Sequence, residues 1–237
     1  MAAPHALAHA NHTYRGIAAP ELERSTRNLG FGPMTPPDRL ARLLVQLNGM
    51  EPAIWRRIEV PLDLSLKGLH DVIQATMLFE DYHLFEFEAG GRRYDVPDPE
   101  DAYDRKTYAA RNVCIAALID RGVSTFTYTY DFGDNWQHAI TIEAIKDRNP
   151  FLEYPRFLDG ELRAPPEDVG RTSGFTDFLK EMAKPRHPQH REFMRLYGGR
   201  FDSADISSDV VQERIAKLAR RRTLGKAGFA KSQKQQH

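Results

Sequence analysis

The chain has 237 residues with 33 Lys+Arg against 33 Asp+Glu, 41% apolar and 28% charged side chains. Those figures fit one globular domain with generous ends, or two small ones, and the charge balance argues against a generally basic nucleic-acid binder while leaving room for a local basic patch. Cys114 is the single cysteine, so an intramolecular disulfide and a multi-thiolate metal site are both excluded, and a reducing cytoplasm is the expected compartment. The longest apolar run, "VCIAALI", is too short to cross a bilayer, and the amino terminus shows no secretory signal pattern.

Residues 1–38 hold five prolines and no sustained period, which predicts a disordered leader; His5, His9 and His12 fall in it. Order is expected to begin with "RLARLLVQLNGM", a strand closed by Asn48-Gly49. In its partner, "PAIWRRIEVP", Ile54, Arg56 and Ile58 alternate with Trp55, Arg57 and Glu59. Ser65 can cap a helix whose stripe is Leu66, Leu69, Val72, Ile73, Thr76 and Met77. "YHLFEFEAGGRRYDV" reads as a hairpin turning at Gly90-Gly91, and "NVCIAALI" fits either helix or strand.

"STFTYTYDFGDNWQHAITIEAI" carries the clearest β pattern. Phe126, Tyr128 and Tyr130 share one face of the first strand, and Trp136, His138, Ile140 and Ile142 share one face of the second. Between them Asp131 to Asn135 are turn-formers around Gly133. Beyond Pro150, "LEYPRFLDGELRAPPEDVGR" reads as an irregular proline-rich loop. Three helices follow. The first carries Phe175, Phe178, Leu179 and Met182; the second lies in "HPQHREFMRLYGG"; the third aligns Val211, Ile215 and Leu218. From Arg214 onward there are eight Lys/Arg and no acid, so a basic tail is expected over residues 216–237.

In order, "PAIWRRIEVP", "DYHLFEF", "YDFGDNWQH", "YPRFLDG", "PPEDVG", the "GF" helix and "YGGRFD" resemble the plasmid pRiA4b open-reading-frame-three-like family. The resemblance spans roughly residues 39–215, taken as one domain. It implies an α+β, roll-like fold, a largely antiparallel sheet with a crossing helix and a helical carboxy-terminal part. It also implies a setting on plasmids, in transposable elements and in bacterial chromosomes, but no reaction. Relatives carry cysteines where this chain has Phe157, Ala164 and Val169, and a second histidine where Phe85 stands. A cysteine-rich zinc site is therefore not expected here.

Three groups of residues can carry chemistry. Asp131, Asp134 and His138, supported by His83, Glu167 and Asp168, are the catalytic candidates; two carboxylates and an imidazole can bind a divalent cation or run acid–base chemistry. Turn chemistry alone also explains those aspartates, with His138 a packed core histidine beside Trp136, and that structural reading is favoured. The expected cofactor set is accordingly empty, a divalent metal on Asp131, Asp134 and His138 being the alternative. Trp55, Arg56 and Arg57, with Trp136 and Glu167, are the binding candidates. Neighbouring strand arginines point to opposite faces, however, which favours pairing with carboxylates over one phosphate-binding patch. Glu167 and Asp168 in "PPEDVG" fit the first turn of a short helix, or else a site loop facing the hairpin.

The functional expectation is an accessory or binding protein of mobile elements, contacting nucleic acid or a protein through the basic tail, with no membrane partner. The alternative is a metal-assisted hydrolase built on the "YDFGDNWQH" hairpin, which requires its side chains to converge on one point. A third reading treats the same polar groups as a buried network that fixes the fold.

Overall fold

The computed structural model describes residues 39–96, 106–186 and 188–234, and of residues 227–234 the backbone alone. The leader expected over residues 1–38, with its three histidines, lies outside them.

Strand β1 (Arg39–Leu47) turns at Asn48-Gly49 into β2 (Ile54–Pro61), with Leu47 opposite Ile54 and Gly49 at φ 75. Ser65 caps α1 (Leu66–Met77), its hydroxyl accepting from the Gly68 N–H at 3.1 Å. Strands β3 (Phe85–Ala89) and β4 (Arg92–Asp95) meet at Gly90 and Gly91, both at positive φ, the geometry of a tight hairpin with the right-handed twist. The short β5 (Thr107–Ala109) runs parallel to β4 and leads through a single 3-10 turn to α2 (Ile115–Ile119). The ambiguous run at 113–119 is thus helical in its second half. Strands β6 (Thr125–Tyr130) and β7 (Trp136–Asp147) form the central ribbon.

The proline-rich segment is more regular than its sequence suggests. Arg156–Glu161 forms β8, which pairs antiparallel with β2 across a bulge at Arg57/Ile58. Only Phe157 of β8 is fully buried, so an edge strand of this kind leaves almost no alternation to read. Helices α3 (Arg171–Met182), α4 (His190–Leu196) and α5 (Ser208–Lys234) complete the chain. Helix α5 passes residue 215 unbroken and continues to Lys234.

The described strands make one sheet in the order β5-β4-β3-β6-β7-β1-β2-β8, antiparallel throughout except at β4–β5. This is the α+β arrangement expected from the sequence. Helix α1 crosses one face of it. His70, in its first half, stacks on Phe85 of β3 with ring centroids 3.8 Å apart, while the Thr76 carbonyl, near its end, accepts from Arg56 of β2 at 2.8 Å. Leu69, Val72 and Ile73 belong with Phe87, Tyr128, Ile140, Val45 and Ile58 to one hydrophobic core, all essentially fully buried. Each such side chain contributes about 1.5–3 kcal/mol through removal of apolar area from water. None of the described helices is long and apolar enough to cross a membrane.

Candidate functional site

Three loops meet at the end of the β6–β7 ribbon. The first is the turn itself. Asp131 takes φ 55 and Asn135 φ 57, a left-handed conformation that Asp and Asn tolerate better than other side chains. Asp131 Oδ1 accepts from the N–H groups of Gly133 (2.9 Å) and Asp134 (3.2 Å), so one carboxylate oxygen holds the turn as the sequence implies. Its second oxygen, Oδ2, faces His83.

The second loop links α1 to β3. The Asp131 N–H donates to the Leu84 carbonyl at 3.0 Å, which fixes that loop against the turn. His83 is thereby placed with Nε2 3.6 Å from Asp131 Oδ2. The third loop carries "PPEDVG". Asp134 Oδ2 accepts from the Gly170 N–H at 2.9 Å and Arg171 Nε donates to the Gly133 carbonyl at 3.0 Å. Asp134 is therefore a stitch between loops. The stitched loop presents Glu167 Oε2 3.9 Å and Asp168 Oδ1 3.1 Å from the same His83 nitrogen. One ligand atom from each of His83, Asp131 and Asp168 lies within 4.8 Å of the others.

Two features distinguish this cluster from a solvated acidic surface. His83 Nε2 and Glu167 Oε2 are both buried atoms without a hydrogen-bond partner, since the close Asp168 oxygen lies outside hydrogen-bond geometry. Among the described residues, no Lys or Arg pairs with Asp131, Glu167 or Asp168. Burial raises the Glu167 carboxyl above its ordinary range and the Asp168 charge adds to that, against the hydrogen bonds from the Glu80 N–H (2.7 Å) and the Tyr130 hydroxyl (3.0 Å) to Oε1. Asp131 and Glu167 are largely covered, whereas the Asp168 side chain is 72% exposed, so the cluster opens to water on that side.

A second group, His70, Asp71 and Asp81, has a different electrostatic state. Lys67 Nζ sits 2.7 Å from Asp71 and 3.8 Å from Asp81, so an ammonium already supplies the positive charge. His70 bridges the Tyr128 hydroxyl and Asp81 Oδ1, both at 2.8 Å, and burial pushes it down to about 4. Sequence reasoning did not single out His70, Asp81 or Tyr130 as polar participants. His70 does share a helical stripe with Ile73 and Met77, the one available sign that it faces inward.

The remaining candidates lie elsewhere. His138 is fully buried between the rings of Phe79 and Tyr128, with Nδ1 3.1 Å from the Trp136 carbonyl; burial pushes it down to about 4. It is not among the groups that converge on His83. Trp136 is core. Arg56 and Arg57 point to opposite faces. Arg57 makes a two-pronged pair with Glu143 at 2.8 and 2.9 Å and lies over the Trp55 ring, whereas Arg56 is buried and donates only to the carbonyls of Thr76, Trp55 and Glu161.

These loops coincide with the segments quoted above as family motifs, and residues 39–210 match the family model described as "Plasmid pRiA4b ORF-3-like protein". The chain belongs to this family. A relative from Sinorhizobium fredii (strain NBRC 101917 / NGR234), the uncharacterized protein y4hQ, is 35% identical over 185 residues, covering 76% of this chain and 92% of the relative. The crystal structure of a protein of unknown function from Methanosarcina mazei Go1, MM3350, superposes with a TM-score of 0.64 at 31% identity, covering 72% of this chain and 96% of that one. At the positions where the family resemblance implies cysteines in relatives, this member has Phe157, Ala164 and Val169, each buried in apolar surroundings.

Proposed function

We propose that this protein binds one divalent cation at His83, Asp131, Glu167 and Asp168, and that the resulting centre supports metal-assisted hydrolysis. The observation that carries the reading is the convergence of three carboxylates on a buried, unpartnered imidazole nitrogen with no cationic side chain to balance them. Buried carboxylates without a counter-charge are costly unless they are paired or coordinate a metal. One imidazole with carboxylate oxygens suits Zn²⁺ or Mn²⁺ better than a thiolate-selecting site would. The open Asp168 side leaves room for a bound water, the condition for a catalytic rather than a closed structural site. Tyr130 and the Glu80 N–H orient Glu167 from behind.

The test is a titration of chelator-treated protein with Zn²⁺ and with Mn²⁺, followed by calorimetry, beside His83→Ala. Saturable binding of one equivalent, lost in the variant, is expected. Equal uptake by both proteins, or none by either, overturns the reading.

A second reading, an accessory protein of mobile elements that contacts nucleic acid, draws support from Arg220 and Arg221, exposed on α5. It is weakened by four other cations of that helix, because Arg214 binds Glu80 and the Phe79 carbonyl, Lys217 pairs with Glu213, and Arg222 and Lys226 share Asp63.

A further inference from the structure

We infer that the cavity between the amino-terminal end of α1, the 3-10 turn at Ala110–Asn112 and the middle of α5 is a phosphate-binding site. It has a volume of about 310 Å³ and is lined by Lys67, Arg111, Arg221 and Arg222 against a single carboxylate, Asp71. None of these residues belongs to the cluster around His83.

The state of each cation decides what the cavity can take. Lys67 is committed to Asp71, and Arg222 is committed to Asp63. The side chains of Arg111 and Arg221 make no hydrogen bond or ion pair with any described residue, and both residues line the cavity. Two arginines thus line the space with no carboxylate partner among the described residues, while the charge of Lys67 is already balanced by Asp71. Planar guanidinium forks match the oxygens of a phosphate two at a time, which a monovalent halide cannot use. The helix adds little of its own. The N–H groups of Leu66, Gly68 and Leu69 already bond the Val113 carbonyl, the Ser65 hydroxyl and the Ser65 carbonyl, so the side chains carry the site.

The size narrows the class. A cavity of about 310 Å³ stands at the small end of pockets that enclose organic ligands, so a phosphate group with a short appendage fits it. The phosphate can come from a free phosphorylated small molecule or from the backbone of a nucleic acid. Arg221 is exposed on α5, so either source can reach it.

The experiment follows stability and binding of the full-length protein with sodium phosphate at constant ionic strength, sodium chloride serving as the control. It compares wild type with the Arg111→Ser/Arg221→Ser double variant and with Arg221→Glu. Because neither arginine side chain has a partner among the described residues, circular dichroism of both variants is expected to match wild type. The inference predicts a saturable rise in melting temperature with phosphate, absent with chloride and lost in both variants. A response equal for phosphate and chloride, or unchanged in the folded variants, overturns it. If the double variant does not fold, Arg221→Glu alone decides by the same criterion. A competition arm then separates the two sources. Displacement of phosphate by a short single-stranded DNA, with strong salt dependence, identifies backbone phosphate; displacement by a nucleoside monophosphate only identifies a free ligand.

Discussion

His83 Nε2 lies 3.1 Å from Asp168 Oδ1, and neither residue is held there by the other. Each belongs to a loop pinned separately to the β6–β7 turn, one by the Asp131 N–H on the Leu84 carbonyl, the other by the Gly170 N–H on Asp134 Oδ2. The turn therefore acts as the frame on which the imidazole and the acids are brought together. Asp131 has two duties, one for each oxygen: Oδ1 closes the turn and Oδ2 faces His83.

Those duties can be separated by Asp131→Asn. The amide oxygen still accepts from Gly133 and Asp134, so stability is expected to change by less than about 1 kcal/mol. The negative charge at His83 is lost, however, and affinity for Zn²⁺ or Mn²⁺ is expected to fall at least 10-fold. Urea denaturation and metal titration on the same preparation give both values. A variant that keeps full metal affinity removes Asp131 from the site.

The frame can also be displaced without touching a ligand. A Cβ on Gly174 would stand 2.2 Å from the Val169 carbonyl oxygen, and Val169 follows Asp168 directly. Gly174→Ala must therefore push the acidic loop away from the turn. The expected result is a loss of metal affinity of about 10–100-fold, the range typical of disturbed supporting residues, together with a lower melting temperature. Gly225→Ala on α5, where nothing lies within 4 Å, is the control and is expected to gain about 0.5–1 kcal/mol from helix propensity.

Adjacent arginines on β2 should behave oppositely. Arg56 is buried, burial lowers its pKa to about 10, and it remains a cation at neutral pH that caps the carbonyls of Thr76, Trp55 and Glu161. Arg56→Met leaves those acceptors without a donor and is expected to cost about 3 kcal/mol. Arg57→Met removes a half-exposed pair with Glu143 and is expected to cost less than about 1 kcal/mol. Urea midpoints for the two variants check the contrast.

The legibility of the chain follows the strength of its local signals. The β6–β7 ribbon, α1 and the Gly90-Gly91 turn are written in alternation, helical period and paired glycines, and each formed where those signals stand. The sequence of β8 reads as loop because its register is dictated by β2, and only Phe157 among its side chains is buried in the core. In the site, the motifs name Asp131, His83, Glu167 and Asp168 together, and the three acids lie 3.6, 3.9 and 3.1 Å from His83 Nε2. They also suggested His138, which strand alternation places beside Trp136 on the core face. The His70–Tyr128–Asp81 chain is not legible, since a hydrogen bond between side chains of separate elements leaves no mark on the local pattern of either one.

The two buried histidines make a pH signature. Both His70 and His138 are held at about 4 by burial, below the ordinary value of 6.5. The unfolded chain therefore binds more protons than the folded one between those values, and stability must rise with pH across that window. The contribution is complete above pH 6.5 and is lost as pH falls toward 4, by about 3 kcal/mol for each histidine. Glu167, raised by burial, works in the opposite sense, because protonation relieves its charge as pH falls. The net expectation for chelator-treated protein is a steep fall in urea-derived stability from pH 7 to pH 4.5. His138→Leu removes one of the two titrations while leaving an apolar side chain between Phe79 and Tyr128, so its profile should be about half as steep. Parallel profiles for wild type and variant would show that His138 gains its proton without unfolding, and the packing of that ring would have to be looser than its burial implies.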